Sequence, residues 1–193
     1  MNTEIRQKLR KEGGRNENPS AGIMDTQTVK GTQESGEESG FDGGKLIQGR
    51  KRHIIVDTMG YILIVWVHAA NVDEGHAARE GFTALFSKRS TLKKIGADGT
   101  YKGEELIQWV NDPLGCVLEV VQKNNTGKGF EVLPRRWVVE RTCAGLGRSR
   151  RLSKEYERKP TSSAGQVYLA SRRWMLRRLA KERAFGRVLL AVP

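Results

Sequence analysis

The fold is decided by an apolar stretch at residues 51–70, KRHIIVDTMGYILIVWVHAA. It holds two runs of β-branched and aromatic residues on either side of the turn sequence at 57–60, a pattern that predicts a β-hairpin. The second run is apolar at nearly every position, which indicates a strand covered on both faces. Asp57 and Gly60 interrupt the apolar residues, so the stretch cannot cross a membrane as one helix.

Further strands and helices are predicted on both sides of this hairpin. Residues 21–29 (AGIMDTQTV) form a strand with an acid near its end, and Asp73 can cap a helix over 73–88. The remaining elements are a strand over 93–98, a helix through 106–110, a strand over 115–123, a turn at 124–129, and helices over 134–150 and 162–183. Because strands and helices alternate in the second half, the sequence predicts an α/β fold with a basic helical C-terminal region.

The chain has 193 residues, enough for one domain with a substantial core. We expect that domain at 21–183, after a flexible or partly helical lead-in at 1–20 and before a tail at 184–193. The Gly-rich, acidic stretch at 31–44 is expected to be a flexible loop inside the domain. The start of the chain shows no secretory signal pattern, and Cys116 and Cys143 make neither a disulfide framework nor a zinc pattern. Two buried, reduced cysteines are typical of a cytoplasmic protein.

The net charge of +12 is concentrated at one end of the chain. Residues 134–193 hold 16 Lys and Arg against 4 Asp and Glu, whereas residues 1–133 hold 18 of each. Most of these cations are arginine, whose planar guanidinium can grip phosphate with two hydrogen bonds. The distribution favours an extended polyanion as partner, with binding that weakens steeply as salt rises. A solvated basic face without a partner is the alternative.

Three acids occur where a metal site could be built. Asp25 lies on the first strand, Asp98 ends a later strand, and Glu140 lies on a helix. Neighbouring strands of one sheet can bring the first two carboxylates together, and a helix packed on the sheet can add the third. Oxygen ligands of this kind suit Mg²⁺ and can bridge two divalent ions. Taken alone, however, Asp98-Gly99 is more typical of an ordinary turn.

Glu140 stands among arginines in RRWVVERTCAGLGRSRRL at 135–152. At about 100° per residue, Arg136 lies about 40° and Arg151 about 20° from Glu140, with Gly147 on the same face if the helix extends that far. An ordinary ion pair between Arg136 and Glu140, one helical turn apart, would stabilise the helix by about 0.2–0.5 kcal/mol. A metal-binding acid beside phosphate-gripping arginines is the other interpretation.

Four stretches together resemble one protein family. MDTQTVK (24–30), GRKRHIIVDTMGYILIVWVHAANVDE (49–74), GADGTYKG (96–103) and LPRRWVVERTCAGLGRSRRLSKEYE (133–157) are similar to DDE-type transposases of bacterial insertion sequences, in the small-element group. The resemblance runs from about residue 20 to residue 180. It implies an RNase H-like mixed sheet flanked by helices. The order of the four blocks is more specific than any single one of them.

The resemblance also implies a site and an activity. Asp25, Asp98 and Glu140 would be the catalytic triad and would hold two Mg²⁺ or Mn²⁺ ions, with Arg136 at the family's spacing before the glutamate. The family nicks DNA at the ends of the element and joins the 3′-hydroxyl to target DNA. A homodimer on DNA, in the bacterial cytoplasm at the nucleoid, would be its working form. No membrane partner is implied.

The chain departs from the family pattern in several places. Only 24 residues precede Asp25, too few for the family's usual N-terminal DNA-binding region, so the sequence resembles an N-terminally truncated copy. Leu133 stands where the family has a tyrosine, and Gly147 stands where related groups have a lysine. The alternative function is therefore a catalytically inactive remnant that binds DNA nonspecifically. An RNase H-like nuclease outside transposition is a third interpretation.

Six cations are candidate DNA contacts. They lie either in the hairpin or around the helix that carries Glu140: Arg50, Lys51, Arg52, Arg136, Arg148 and Arg151. For the hairpin cluster, a solvated strand end is an equally good interpretation. His53, His68 and His76 show no ligand spacing, so structural roles are expected for them.

Overall fold

The computed structural model describes residues 2–36, 38–88, 90–121 and 136–190, with side chains described as far as residue 181. The predicted turn at 124–129 and Leu133 lie outside these residues. The strands are β1 (Ala21–Lys30), β2 (Gly40–Asp42), β3 (Ile47–Asp57), β4 (Ile62–Ala69), β5 (Lys94–Asp98) and β6 (Val117–Val121). The helices are α1 (Asn2–Glu12), α2 (Glu74–Phe86), α3 (Glu104–Asn111), α4 (Arg136–Gly147) and α5 (Pro160–Leu190), with short 3₁₀ turns at Gly99–Tyr101 and Arg150–Leu152.

All six strands form one mixed sheet, in the order β2-β3-β1-β5-β6, with β4 also paired to β3. Strand β1 pairs antiparallel with β3 from Gly22 to Lys30 and parallel with β5 at its start. The predicted hairpin is β3 with β4. Its turn is fixed by Asp57, whose carboxylate accepts hydrogen bonds from the backbone N–H groups of Met59 and Tyr61, both at 2.9 Å. Gly60 has a φ of 87° there, a conformation that favours glycine.

Helices cover both faces of the sheet because successive residues of each central strand point to opposite sides. On β1, Met24 packs into a core with Phe82 of α2 and Leu106 of α3. Its neighbour Ile23 packs into a second core with residues of α4 and α5, among them Val139. This architecture confirms the predicted α/β fold, a mixed sheet flanked by helices. Among the described helices, none is long and apolar enough to cross a membrane.

Both ends of the described chain are helical. Residues 2–12, expected in a flexible or partly helical lead-in, form α1, and Leu9 is buried against Tyr61, Met175 and Leu179. Arg10 reinforces this contact with a buried ion pair to Asp57, at 2.7 Å. Helix α5 continues to Leu190, through most of the stretch expected to be a tail at 184–193. The first helix agrees with the partly helical alternative and is held by packing of α1 against α5, whereas a helix as far as Leu190 differs from the expected tail.

A buried ion cluster joins β3 to the connection between α4 and α5. Glu155 is fully buried, and its carboxylate lies 3.1 Å from the guanidinium of Arg52 and 3.7 Å from that of Arg50. The hydroxyl of Ser163, at the start of α5, donates to the same carboxylate at 2.7 Å. The Arg50 guanidinium also donates to four backbone carbonyl oxygens, those of Ser35, Glu38, Glu157 and Arg158.

The cluster corrects two predictions. Arg50 and Arg52, expected to contact DNA, are 0% and 1% exposed, so their charges are already satisfied inside the protein. Lys51 is 9% exposed and pairs with Glu74 at 2.9 Å. The stretch at 31–44, predicted to be a flexible loop, is anchored to the domain, since Ser35 is buried beside Arg50 and β2 begins at Gly40.

Replacing Glu155 by glutamine (E155Q) should test how much this cluster stabilises the fold. The substitution leaves Arg50 and Arg52 buried without a counter-charge, so we expect the free energy of unfolding to fall by about 3–5 kcal/mol. The matched control is E119Q, which breaks the half-exposed pair of Glu119 with Lys94 and should cost at most about 1 kcal/mol. Urea unfolding of both variants measures the difference. Equal losses would contradict a structural role for the buried charge.

Candidate active site

The first acid, Asp25, lies in the middle of strand β1 rather than near its end as predicted. It is the fifth of ten residues, because β1 continues along β3 as far as Lys30. Its side chain is 16% exposed, beside the face of the sheet that α4 covers. Asp25 therefore presents a largely buried carboxylate at the point where β1 and β5 separate.

The second acid, Asp98, is the last residue of β5. The parallel pairing of β1 with β5 sets Ile23 opposite Gly96, and two further residues along each strand lead to Asp25 and Asp98. One carboxylate oxygen of Asp98 accepts from the backbone N–H of Thr100 at 3.0 Å and so begins the 3₁₀ turn at 99–101. The turn interpretation of Asp98 and its nearness to Asp25 are both borne out in the structure.

The third acid, Glu140, lies on helix α4 and contacts the same arginine, Arg136, as the other two acids. One guanidinium faces all three acids: Arg136 Nε lies 3.1 Å from Glu140 Oε1, and Nη2 lies 3.3 Å from Asp98 Oδ2 and 3.9 Å from Asp25 Oδ1. The local ion pair between Arg136 and Glu140 is present, and it is part of a larger arrangement. Glu140 is 52% exposed, so this corner of the site is open to solvent.

The cation between the three acids is the guanidinium of Arg136. Within the described ranges, no group of three His, Cys, Asp or Glu side chains is close enough to hold one metal ion. The donors are nevertheless carboxylate oxygens, which hard divalent ions prefer. The guanidinium acts as a stand-in for such an ion, because it shows that the three carboxylates converge on one positive charge. The chemistry of the residues therefore fits a divalent metal.

Burial is the main influence on the pKa values of Asp25 and Cys143. Burial raises the pKa of Asp25, while the N–H of Thr26 and the charge of Arg136 lower it and the nearby carboxylates raise it again. The thiol of Cys143 donates to Asp25 Oδ2 at 3.8 Å. Burial, together with the charge of Asp25, raises the pKa of Cys143 to about 12, so it remains a thiol and a donor at neutral pH.

Cys143 is a site contact that the sequence did not reveal. We expected only a small buried residue there, because an isolated cysteine carries no ligand pattern. The available signal was its position three residues after Glu140, about 60° away on the same side of α4. Only the packing of α4 against β1 brings its sulfur to Asp25.

A chain of polar side chains lies behind the site. Thr26 and Tyr101 both hydrogen-bond His53 Nδ1, at 3.0 and 2.9 Å, and His53 Nε2 lies 2.6 Å from His68 Nε2. His68 Nδ1 lies 2.7 Å from the carbonyl oxygen of Ala69, so Nδ1 carries the proton. Burial lowers the pKa of His53 to about 2, which keeps it neutral. These contacts fit the structural role expected for His53 and His68.

The other predicted DNA contacts divide into two groups. Arg50, Lys51 and Arg52 are buried, and their ion pairs are with Glu155 and Glu74, not with the three predicted acids. Arg148 and Arg151 are exposed, but α4 ends at Gly147 and Arg151 lies in the following 3₁₀ turn. The extended helical face from Arg136 to Arg151 therefore does not form, and Arg151 pairs with Glu157 at 2.7 Å.

A protein-family model matches most of this chain. A family model described as Transposase DDE domain matches residues 16–175. No curated protein sequence matches significantly.

Three similar solved structures span viral and transposon proteins. A chain of the simian T-cell lymphotropic virus intasome, in complex with PP2A regulatory subunit B56 gamma, is 13% identical with a TM-score of 0.50, covering 78% of this chain and 48% of that chain. The catalytic core domain of BIV integrase is 13% identical with a TM-score of 0.47, covering 80% and 82%. The Mos1 strand transfer complex contains a chain 9% identical with a TM-score of 0.32, covering 90% and 58%.

The first of these likenesses concerns the fold alone, since the identity is low. It confirms the predicted RNase H-like mixed sheet flanked by helices. The chain matches about half the length of the intasome chain.

The buried Asp25 should make stability depend on pH. Because its pKa is raised in the folded protein, ionising it costs folding free energy, and that cost appears as pH rises through the carboxyl range. In metal-free buffer, Asp25→Asn (D25N) should therefore be more stable than the unchanged protein at pH 7, by on the order of 1 kcal/mol. The advantage should vanish near pH 3. Urea unfolding across this range tests it, with the exposed E80Q as control. Parallel pH profiles for D25N and the unchanged protein would contradict it.

Proposed function

This chain belongs to the family of transposase DDE domains, and we propose that it carries out DNA transposition by metal-dependent phosphoryl transfer. Asp25, Asp98 and Glu140 are the proposed catalytic and metal-binding acids. The observation that carries the proposal is the convergence of their carboxylates, from two strands and a helix, on the guanidinium of Arg136 within 3.1–3.9 Å. An ordinary surface ion pair would not require three acids from distant parts of the chain.

The reaction has two chemically similar steps. In the first, water attacks a phosphodiester at the element end and the bond from phosphorus to the 3′ oxygen breaks, which leaves a 3′-hydroxyl. In the second, that hydroxyl attacks a phosphodiester of the target DNA and displaces another 3′ oxygen. One phosphodiester bond breaks and one forms in the second step, so no energy-supplying cofactor is needed.

Two divalent ions, Mg²⁺ or Mn²⁺, are the proposed cofactors. When bound, they supply a lowered pKa for the attacking hydroxyl and charge stabilisation for the leaving oxygen. Asp25, Asp98 and Glu140 supply the oxygen ligands. Arg136 balances their charge in the metal-free protein and would turn to a DNA phosphate once the carboxylates hold metal. Cys143 keeps one oxygen of Asp25 oriented by its hydrogen bond.

The proposed partners follow from family membership and from charge. DNA, both element ends and target, is the substrate, and a homodimer on DNA is the proposed working assembly. The excess of 12 positive charges over residues 134–193 supports a polyanionic partner. The bacterial cytoplasm, at the nucleoid, is the proposed location.

A second candidate is an inactive remnant that binds DNA nonspecifically. It is favoured by one observation: in the described part of the chain, Arg136 stands among the acids and no three potential ligands are close enough for one metal ion. In that case the guanidinium would hold the acids permanently. The basic C-terminal region would still attract DNA.

Cleavage of DNA distinguishes the two candidates. Labelled DNA carrying the element end should be nicked in the presence of Mn²⁺, and Asp98→Asn (D98N) should slow nicking at least about 100-fold, because one ligand oxygen is lost from the charged site. Gel electrophoresis of the products measures the nicking rates of the unchanged protein and of D98N. DNA binding in EDTA is the control, since D98N should retain it. Binding without any metal-dependent nicking in the unchanged protein would instead support the remnant.

The counter-charge role of Arg136 can be tested without measuring catalysis. Arg136→Gln (R136Q) should lower the metal-free melting temperature by a few degrees, because three carboxylates then repel one another. Mn²⁺ should raise the melting temperature more in R136Q than in the unchanged protein, since it no longer competes with the guanidinium. Arg151→Gln is the control, as its ion pair lies away from the acids. No difference in the Mn²⁺ shift would contradict the role.

A further inference from the structure

A second basic surface lies between helices α4 and α5, apart from the acids. It is a groove of about 710 Å³. Its lining includes six arginines, Arg141, Arg148, Arg150, Arg173, Arg177 and Arg178. Asp25, Asp98 and Glu140 do not line it. Seen along α4, Arg141 and Arg148 lie about 80–100° around the helix from Glu140, so the groove faces a different direction from the site.

Most of the positive charge of this groove has no acidic partner in the described part of the chain. Of the described residues, no Asp or Glu lines it. Five of its arginines, Arg141, Arg148, Arg150, Arg173 and Arg177, are exposed, and the described part of the chain offers them no ion pair. Clustered like charges destabilise a folded protein by repulsion. A bound polyanion would relieve that repulsion.

Close helix packing builds the groove. Gly145 of α4 lies against the ring of Trp174 of α5, and a Cβ at Gly145 would come within 2.9 Å of that ring. Glycine therefore lets the two helices approach, which brings the arginines of both to the same surface. The site is formed by tertiary contact and not by one charged helix.

The aromatic side chains near the groove are already engaged. Of the aromatic residues that line the groove, Tyr61 is 8% exposed and Trp174 packs against Gly145. Trp137 lies outside the lining and carries the guanidinium of Arg141 over its ring, 4.9 Å from the centroid. Single-stranded nucleic acid is usually held by bases stacked on open aromatic rings, and this groove offers arginines instead. Arginines without open rings match the phosphates of a duplex, whose bases stay stacked inside.

We propose that this groove binds the sugar–phosphate backbone of a second duplex DNA segment, distinct from the segment that meets the acids. The identity of the polyanion as DNA rests on the proposed function. The charge and shape of the groove do not depend on the proposed function. Binding here would be independent of base sequence, because phosphates carry no sequence information. It would hold a flanking or target duplex beside the one being cut.

The test compares two double variants with equal loss of charge. R173Q/R177Q neutralises two exposed arginines of the groove, and K154Q/K159Q neutralises two exposed lysines outside its lining. Binding of a labelled 20-base-pair duplex of arbitrary sequence is followed by fluorescence anisotropy in EDTA, over a series of salt concentrations. EDTA keeps metal from the acids, so no metal-mediated contact between them and DNA contributes to the affinity.

We expect R173Q/R177Q to weaken binding at least about tenfold at 0.1 M salt. The slope of log affinity against log salt should become shallower by about 1.8, since each lost phosphate contact contributes about 0.9. K154Q/K159Q should bind within about twofold of the unchanged protein. Equal weakening by both pairs would overturn the proposal, because net charge and not the groove would then set affinity. Unchanged binding by R173Q/R177Q would overturn it as well.

Two further measurements separate this inference from the proposed function. In the first, nicking of element-end DNA with Mn²⁺ is measured for the unchanged protein beside duplex binding, and groove binding without any nicking would refute the proposed function and leave the groove. If vesicles rich in anionic lipid bind through the same arginines while duplex DNA does not, the groove proposal fails. Should R173Q/R177Q not fold, as judged by circular dichroism, R148Q on α4 replaces it and is expected to weaken binding about threefold with a slope change of about 0.9.

Discussion

The central position of strand β1 is the constraint on which the rest of the structure depends. It pairs antiparallel with β3 on one side and parallel with β5 on the other. Its antiparallel partner belongs to the apolar hairpin that builds both cores. Its parallel partner ends at Asp98, level with Asp25. The same strand therefore joins the hydrophobic core to the pair of acids, so disruption of its pairing would remove both.

Charge balance decides how the acids behave. Three carboxylates within a few ångströms would repel one another in a site where Asp25 is largely buried. Arg136 offsets this repulsion, and it does so with one guanidinium that faces all of them. In the proposed function, a metal ion would compete with this guanidinium for the same oxygens. In the described structure the three carboxylates face the arginine.

Arginine does different work in two parts of this protein. Arg50 and Arg52 are buried, and they tie Glu155 and several backbone carbonyls of the 31–44 and 152–158 segments to β3. Five arginines of the groove between α4 and α5 (Arg141, Arg148, Arg150, Arg173 and Arg177) are exposed, and no described Asp or Glu lines the groove. The sequence alone does not distinguish the buried arginines from the exposed ones. Burial and available acceptors separate a structural cation from one that can bind an external anion.

The sequence by itself determined the local elements and the residue types of the site. Apolar patterning predicted the hairpin and the alternation of strands and helices, and the acids at 25, 98 and 140 could be named in advance, because these depend on neighbours along the chain. Only the tertiary structure decided that α1 packs on α5, that Cys143 contacts Asp25, and that Arg50 and Arg52 are buried. Each of these contacts joins residues far apart in sequence, and a local sequence pattern does not specify which distant residues come into contact.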